Sequence, residues 1–377
     1  MKKQILGIAL ALVMVFSFTL VTASPATAAD LEVGPGKIYT TIASAVAAAT
    51  GGDTILVYTD TYYEHVVINK ALTIKAATGE SPIIDGSGSG TCFGIYNGAG
   101  LSDVTIEGIE IQNAVYGIWI YGSPSTYSNI TITDNNIHNH SQNGILVTDC
   151  TVNGLTISGN SVDSSGIGIS FANNSTIDGL NCENNVVTNN NAGLSLIVGT
   201  FSNITVSSCY FEGNAWEHID LGCWSNFPSL SNVYITGCQF LSGPWCAVYV
   251  QSSFGEDDIV LRGNQFLSAY GVFNTMPDSV DAVCNWWNSI DGPGGPCSSG
   301  SGTLVTCNVY YEPWWLTSEG PCYGYEGIDD CFQDVKNHGQ FVSCIAKFTK
   351  DLMKDGTLTE EQREAIIEWA AESDIGK

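Results

Sequence analysis

SNITI at residues 128–132 and NGLTI at residues 153–157 are two copies of a short opening that recurs along the chain. Seven related openings begin at residues 102, 128, 153, 178, 202, 231 and 257, so neighbouring openings are 24 to 29 residues apart. A period in this range is typical of solenoids, in which each unit stacks on the one before it. Each unit holds short alternating stretches separated by Asn, Gly or Ser, a pattern that predicts strands and turns.

Side chains that align between the units predict how the coils fill their interior. Like side chains stacked at the strand spacing of about 4.8 Å are how a parallel β-helix packs its core. A polar column beside them satisfies backbone groups at a bend, so we interpret it as structural. The three apolar columns are Ile106, Ile132, Ile157, Cys182, Val206, Ile235, Leu261; Ile111, Ile137, Val162, Val187, Phe211, Phe240, Phe266; and Ile118, Ile145, Ile169, Leu194, Ile219, Val248, Val272; the polar column is Asn135, Asn160, Asn185, Cys209, Cys238 and Asn264.

The start of the stack requires a cover, because open β edges invite aggregation. Tyr39–Thr50 predicts a short Ala-rich amphipathic helix there. Residues 41–76 (TIASAVAAATGGDTILVYTDTYYEHVVINKALTIKA) resemble the opening of secreted right-handed parallel β-helix proteins of the pectin lyase-like superfamily, and residues 284–293 (CNWWNSIDGP) and 310–315 (YYEPWW) resemble their closing segment.

This resemblance covers residues 31–316, and it implies a fold more than a function. We expect an all-β protein whose residues 30–316 form a single-stranded right-handed parallel β-helix of about 25 residues per coil, with the N-terminal helix as its cap. Superfamily members include lyases, hydrolases, epimerases and non-catalytic binders, so the activity has to be argued from the site.

The first 29 residues have the features of a secretory signal peptide. Two lysines precede the apolar run Ile5–Val21 and the small-residue site Ala26-Thr-Ala28. We expect cleavage after Ala28 or Ala29, no transmembrane segment, and a protein that is secreted or held at the cell envelope.

Thirteen cysteines in an exported chain predict disulfides, and the odd number leaves at least one thiol unpaired. Cys209 and Cys238 occupy adjacent rungs, a separation that permits a bridge. Cys297 and Cys307 form a second candidate pair near the end of the coils. A third bridge is predicted among Cys322, Cys331 and Cys344 in the C-terminal part.

The composition excludes nucleic acids as partners and argues against some enzymatic activities. A formal charge of −26 repels nucleic-acid phosphates, so we expect no nucleic-acid partner. The resemblance to lyases implies a basic group, or Ca²⁺ held by carboxylates, facing a uronate, yet Arg262 is the one basic residue between Ser81 and Gly320. Bound Ca²⁺ could supply part of that charge. The superfamily's galacturonan hydrolases share an Asn-x-Asp motif followed by a paired-Asp motif, and this combination is missing because the sequence has no Asn-x-Asp.

The longest coil carries the best candidate site. Trp216 and Trp245 share one column, and Asp220 falls between Ser195 and Tyr249 in an outward column, which Ser170 and Phe273 extend. Aromatic faces beside carboxylates and hydroxyls suit a neutral sugar. The predicted ligand-binding residues are Trp216, Asp220, Trp224, Trp245 and Tyr249. The weaker catalytic candidates are Glu217, His218 and Asp220, although a regular strand turns Glu217 and Asp220 to opposite sides.

Metal sites are weaker hypotheses. His138 and His140 share one face if their segment is extended, and Asp163 lies on the next coil, but two histidines at a bend are usually solvated. We expect no required metal or other cofactor. The outward acids, which could hold weak Ca²⁺, are Glu107, Glu110, Asp134 and Asp163.

Residues 317–377 form a different module in which the β pattern stops. Gln340–Lys354 predicts an amphipathic helix, and the capping-box pattern at Thr359–Gln362 opens a second helix that runs through Ser373. We expect a small helical hairpin that caps the last coil or docks on a partner.

Two functions remain open at this point. The sequence favours a monomeric, non-catalytic protein that binds a polysaccharide or cell-surface glycan, or that displays a rigid surface at the envelope. The alternative is a polysaccharide-active enzyme, which would be a lyase, a glycoside hydrolase or an epimerase.

Overall fold

The computed structural model describes residues 28–222, 228–243, 245–252, 254–255, 258–289, 291–312, 314–315, 318, 331, 337–354 and 360–372. Residues 1–27 of the predicted signal peptide lie outside this part. Within it the strands form three parallel sheets of 12, 9 and 11 strands, here named A, B and C, and the chain passes through them in turn, coil after coil. This arrangement is a parallel β-helix, as the repeats predicted.

Sheet A runs in the order β1 (Asp30–Val33), β2 (Thr54–Val57), β5 (Thr73–Ala76), β8 (Ser102–Glu107), β11 (Thr126–Thr133), β14 (Thr151–Ser158), β17 (Ser175–Glu183), β20 (Gly199–Ser207), β23 (Ser229–Thr236), β26 (Ile259–Arg262), β29 (Val280–Asp281) and β32 (Val309–Tyr310). Sheet B runs in the order β3 (Thr61–Tyr62), β6 (Ile83–Asp85), β9 (Glu110–Gln112), β12 (Asn136–His138), β15 (Ser161–Asp163), β18 (Val186–Thr188), β21 (Tyr210–Glu212), β24 (Gln239–Phe240) and β27 (Gln265–Phe266). Sheet C runs in the order β4 (Val66–Ile68), β7 (Thr91–Ile95), β10 (Tyr116–Tyr121), β13 (Asn143–Thr148), β16 (Ile167–Ala172), β19 (Ala192–Leu196), β22 (Glu217–Gly222), β25 (Cys246–Gln251), β28 (Tyr270–Asn274), β31 (Gly302–Val305) and β30 (Pro293–Gly294).

The three apolar columns are confirmed, one in each sheet. Ile132 pairs with Ile106 and Ile157 in sheet A, and the same register continues to Leu261. All members of the columns are at most 1% exposed, so they form the core. In the sheet B column, aromatic side chains replace aliphatic side chains toward the C-terminal end. There the ring of Phe240 stacks on those of Phe211 and Phe266, with centroids 5.2 and 5.1 Å apart.

The polar column is confirmed as a ladder at the bend between sheets A and B. The backbone N–H of Asn135 donates to Oδ1 of Asn160 at 3.0 Å, and the backbone N–H of Asn160 donates to Oδ1 of Asn185 in the same way. The Nδ2 atom of Asn160 donates to the carbonyl of Ile132. Each side chain therefore satisfies backbone groups that the bend removes from the sheets.

The predicted bridge between Cys209 and Cys238 is wrong, because both are buried thiols in the ladder. Parallel rungs keep equivalent Cβ atoms about 4.8 Å apart, whereas a disulfide needs about 3.8 Å. Cys297 and Cys307 do form a disulfide. Cys331 is bonded to Cys344, and Cys322 lies outside the described residues.

Helix α1 (Ile42–Ala48) covers the first coil and is shorter than the predicted Tyr39–Thr50. Two side chains from neighbouring coils satisfy its ends. Carboxylate oxygens of Glu64 accept from the backbone N–H groups of Ile42 and Ala43, while Nζ of Lys70 donates to carbonyls at the C-terminal end. Opposite charges thus lie at opposite ends of the helix, as its dipole favours.

The two helices predicted for the C-terminal part are present as α2 (His338–Lys354) and α3 (Glu360–Glu372). They contact each other, and Nε2 of His338 lies 2.9 Å from the carbonyl oxygen of Ala371. Among the helices of the described residues, none has the length and apolar content that a membrane crossing requires.

Candidate functional site

The outer face of sheet C carries one continuous column of side chains across seven coils. Asp220 pairs with Ser195 on one side and with Tyr249 on the other, as predicted. The type of side chain changes along the column: an aromatic and an aliphatic side chain come first, then two hydroxyl groups, one carboxyl group and two aromatic side chains. Its members are Trp119, Leu146, Ser170, Ser195, Asp220, Tyr249 and Phe273.

Asp220 is the most perturbed acid of this face. Its Oδ1 atom is buried and has no hydrogen-bond partner among the described residues. Burial, and next the negative charge of Glu217, raise the pKa of Asp220 to about 8. The carboxyl group is therefore protonated at neutral pH and can donate a hydrogen bond.

Glu217 and Asp220 lie on the same side of β22, contrary to the prediction. His218 and Ile219 between them are 1% and 0% exposed, so two successive residues face inward. Asp220, the next residue, faces outward again. Burial raises the pKa of Glu217 as well. The negative charge of Glu217 therefore acts on Asp220 from the same side of the strand.

His218, the third catalytic candidate, is buried. Its Nδ1 atom lies 3.0 Å from Nδ2 of Asn214, and its Nε2 atom lies 3.2 Å from the carbonyl oxygen of Leu241. Burial lowers the pKa of His218 to about 4, so the ring is neutral. It fills the bend between sheets B and C, away from the outer face.

An aromatic cluster borders the acid pair. The ring of Trp245 lies 5.1 Å from that of Tyr249 and 4.9 Å from that of Phe273, and Tyr270 lies 5.1 Å from Phe273. We call Trp245, Tyr249, Tyr270 and Phe273 the aromatic platform. Trp245 keeps 36% of its surface exposed, Tyr270 and Phe273 are half-buried, and Tyr249 is buried, so the accessible apolar face of the platform comes mainly from Trp245.

The other predicted ligand-binding residues fall outside this cluster. Trp216 precedes Glu217 and is 57% exposed, and within the described residues no ring of the platform contacts it. It therefore lies beside the acid pair as a separate exposed ring. Trp224 lies outside the described residues.

Sheet C is almost free of charge in a protein whose net charge is −26. In the strands of sheet C that the structure describes, Glu217 and Asp220 are the acidic residues, and no Lys or Arg occurs. With Asp220 protonated, Glu217 is the one remaining acid of the described strands of this sheet. Arg262 lies on sheet A, where it pairs with Asp281.

The predicted pairing of His138 and His140 on one face is wrong. Asn139 between them has φ +60°, which breaks the extended backbone and turns His140 into the interior. Nε2 of His138 instead lies 3.2 Å from Glu110, and Asp163 accepts from Thr188 and Asn189. Within the described residues no group of three His, Cys, Asp or Glu is arranged to hold a metal ion.

Comparison with known proteins agrees with this architecture. Residues 69–239 match the family described as the right handed beta helix region. No curated protein matches the sequence. Among solved structures, pectate lyase Pel9A is 16% identical, with 84% of this chain and 87% of that chain covered and a TM-score of 0.43. The pectin methylesterase from Aspergillus niger is 12% identical, with 79% and 89% covered and a TM-score of 0.25.

Sequence reasoning missed a second group of rings on the outer face of the right-handed β-helix. Trp119 lies 4.2 Å from Tyr121 and 5.0 Å from Tyr116, and Tyr96 stacks on Tyr121 at 4.9 Å. The signal was present in the segment YGIWIY at residues 116–121, whose Trp119 aligns with the outward column. The hydroxyl and acid segment of the column thus has aromatic rings at both ends.

Proposed function

We propose that the outer face of sheet C binds a neutral polysaccharide outside the cell. The observation that carries this proposal is the position of protonated Asp220 next to the aromatic platform on a nearly uncharged face. Sugar rings pack their apolar faces on exposed aromatic rings, and a buried carboxyl group without a partner supplies a hydrogen bond to a hydroxyl. In the strands of sheet C that the structure describes, a polyuronate would find no Lys or Arg side chain.

Export is part of the proposal. The signal-peptide pattern of residues 1–29 supports it, and so do the disulfides Cys297–Cys307 and Cys331–Cys344, because disulfides persist in oxidising compartments. The ligand would then be a polysaccharide of the cell surface or the surroundings, bound by a monomer.

A glycan screen on the mature protein tests the proposal. Neutral and acidic polysaccharides are presented with and without Ca²⁺, and binding is measured by calorimetry. We expect binding of a neutral polymer that Trp245→Ala weakens at least tenfold, while Tyr234→Ala, which removes a comparably exposed ring from sheet A, leaves it unchanged. Equal effects of the two substitutions, or binding of polyuronates alone, would contradict the proposed face.

A second candidate function rests on the Glu217–Asp220 pair. Glycoside hydrolases use two carboxyl groups, one protonated as the general acid and one ionised. The raised pKa of Asp220 fits the acid, and Glu217 on the same side fits its partner.

An assay of the same polysaccharides for released reducing ends, run beside the binding measurement, decides between the two functions. Release of reducing ends, abolished by Asp220→Asn or Glu217→Gln, would establish hydrolysis. Binding without product establishes the non-catalytic function.

A further inference from the structure

Five asparagines of the chain begin an Asn-x-Ser/Thr sequence, the acceptor motif of N-glycosylation in exported proteins. They are Asn129, Asn139, Asn173, Asn174 and Asn203. All five are exposed, and all five lie in the left-handed region with φ between +51° and +60°. Asn129 and Asn203 lie within strands β11 and β20 of sheet A.

Buried asparagines show the opposite pattern. In the part of the chain that the structure describes, nine asparagines are buried, and none of them has Ser or Thr two residues later. Acceptor motifs are therefore confined to accessible asparagines. The buried ones are Asn135, Asn143, Asn160, Asn185, Asn190, Asn214, Asn264, Asn274 and Asn285.

The motif at Asn129 has a geometry that an enzyme could recognise on the folded surface. Ile130 points into the core, and Thr131 returns to the outer face, so the amide and the hydroxyl lie on the same side of sheet A. Asn203, Ile204 and Thr205 repeat this arrangement three coils later, roughly 14 Å away at the strand spacing.

We propose that the exported protein is N-glycosylated at Asn129 and Asn203, with Asn139 and one of the adjacent pair Asn173 and Asn174 as further acceptors. The sugar donor is an oligosaccharide linked through phosphate to a lipid. The side-chain Nδ2 attacks the anomeric carbon, a C–N bond forms, the bond from that carbon to the phosphate oxygen breaks, and the lipid phosphate leaves with the electron pair. One proton of Nδ2 is lost to a base.

The acceptor amides can carry a glycan without loss of their present contacts. Nδ2 of Asn129 donates to Oδ1 of Asp103 at 3.1 Å, and Nδ2 of Asn203 donates to Oδ1 of Asp178. A glycosylated amide keeps one N–H, which can still make that hydrogen bond. None of the five acceptors lies on a strand of sheet C, so glycans would leave the aromatic platform uncovered.

Mass spectrometry of the protein purified from the cells that make it tests this inference, which rests on the proposed export. Peptide mapping and intact mass are expected to show glycans at Asn129 and Asn203. Thr131→Ala, which keeps the asparagine, should remove one glycan. The matched control is Thr156→Ala in the same outward column, where Gly154 stands in place of the acceptor, and it should remove none.

A variant that gains an acceptor site tests the inference without relying on the loss of a glycan, which misfolding could also cause. Gly154 has φ +74°, the nearest atom to a Cβ built there is 3.5 Å away, and Asn129 adopts a left-handed conformation at the aligned position, so Gly154→Asn is accommodated and completes the motif with Thr156. Combined with Asn129→Gln, it should move the glycan by one coil and leave the total mass of sugar unchanged. Unmodified Asn129 and Asn203 in protein that has been exported and has lost its first residues would overturn the inference while leaving the proposed export intact.

Discussion

Glu217 and Asp220 face the same side of β22 because the strand turns two successive residues, His218 and Ile219, toward the interior. The negative charge of Glu217 therefore adds to burial in raising the pKa of Asp220. This relationship makes the middle of the outer face of sheet C a place where one proton is held at neutral pH. The raised pKa distinguishes Asp220 from the solvated acids elsewhere on the β-helix.

Asp220 should make the protein less stable as the pH rises. Its pKa of about 8 in the folded state exceeds the ordinary value of 3.8, so between these limits the unfolded chain has lost a proton that the folded chain retains. Stability then falls by about 1.4 kcal/mol per pH unit, and the loss is complete above pH 8. Asp220→Asn should remove this slope, which urea unfolding at pH 5, 6, 7 and 8 measures.

Asp134→Asn is the matched control for this titration. Asp134 is exposed and has φ +55°, a conformation that Asn also adopts. We expect this variant to follow the wild-type pH dependence. If Asp220→Asn follows it as well, Asp220 is ionised in the folded protein at neutral pH, and its proposed role as a hydrogen-bond donor is wrong.

The register of the coils could be predicted from the sequence because each column repeats one type of side chain. The same-side position of Glu217 could not be predicted from a simple alternation. A signal existed nevertheless, since the position of His218 is occupied by glycine in the four preceding coils, at Gly117, Gly144, Gly168 and Gly193. At each of these four glycines, a backbone atom of the next coil lies within 2.8 Å of an added Cβ, so the position leaves no room for a side chain directed outward. The repeated glycine therefore indicates that this position does not follow the alternation of the strand.

The two wrong predictions about site residues have related causes. An extended segment would place His138 and His140 on one face, yet the left-handed residue Asn139 separates them in the structure. Adjacent rungs bring Cys209 and Cys238 close together, but the parallel register holds equivalent Cβ atoms too far apart for a disulfide. In both cases the local backbone of the coil, which sequence spacing does not reveal, determined the outcome.

Asn160→Ala should destabilise the β-helix strongly. The side chain accepts from the backbone N–H of Asn135 and donates to the carbonyls of Ile132 and Ser158, and all of these groups are fully or partly buried. Buried polar groups left without partners cost roughly 1–3 kcal/mol each, so a loss of about 3 kcal/mol or more is expected.

Asn136→Ala is the control for the ladder, since Asn136 lies one residue after Asn135 and is exposed. Its effect should stay within about 0.5 kcal/mol. Thermal unfolding of both variants checks the difference, and equal shifts in Tm would mean that the ladder contributes no more than a surface side chain.

Lys70→Met should loosen the N-terminal cap without disturbing the middle coils. Nζ of Lys70 donates to the carbonyls of Val46, Ala47 and Ala49 at the end of α1, at 2.7 to 3.0 Å. Hydrogen bonds to a charged group contribute about 1.5–3 kcal/mol, so the cap should open locally at a lower free energy. Hydrogen exchange should become faster in α1 and β1, and Lys75→Met, on the outer face of sheet A, should leave those rates unchanged.

Buried thiols should be protected from alkylation in the folded protein. Cys92 and Cys150 lie inside the coils, and burial raises the pKa of each to about 12, so neither supplies the thiolate that reacts. Iodoacetamide at pH 8 should leave both unlabelled until guanidinium unfolds the chain. Cys297 and Cys307 provide the internal control, since their disulfide should resist labelling in both states until a reductant is added. Native-state labelling of Cys92 or Cys150 at the rate of a free cysteine would mean that the coil around them opens to solvent.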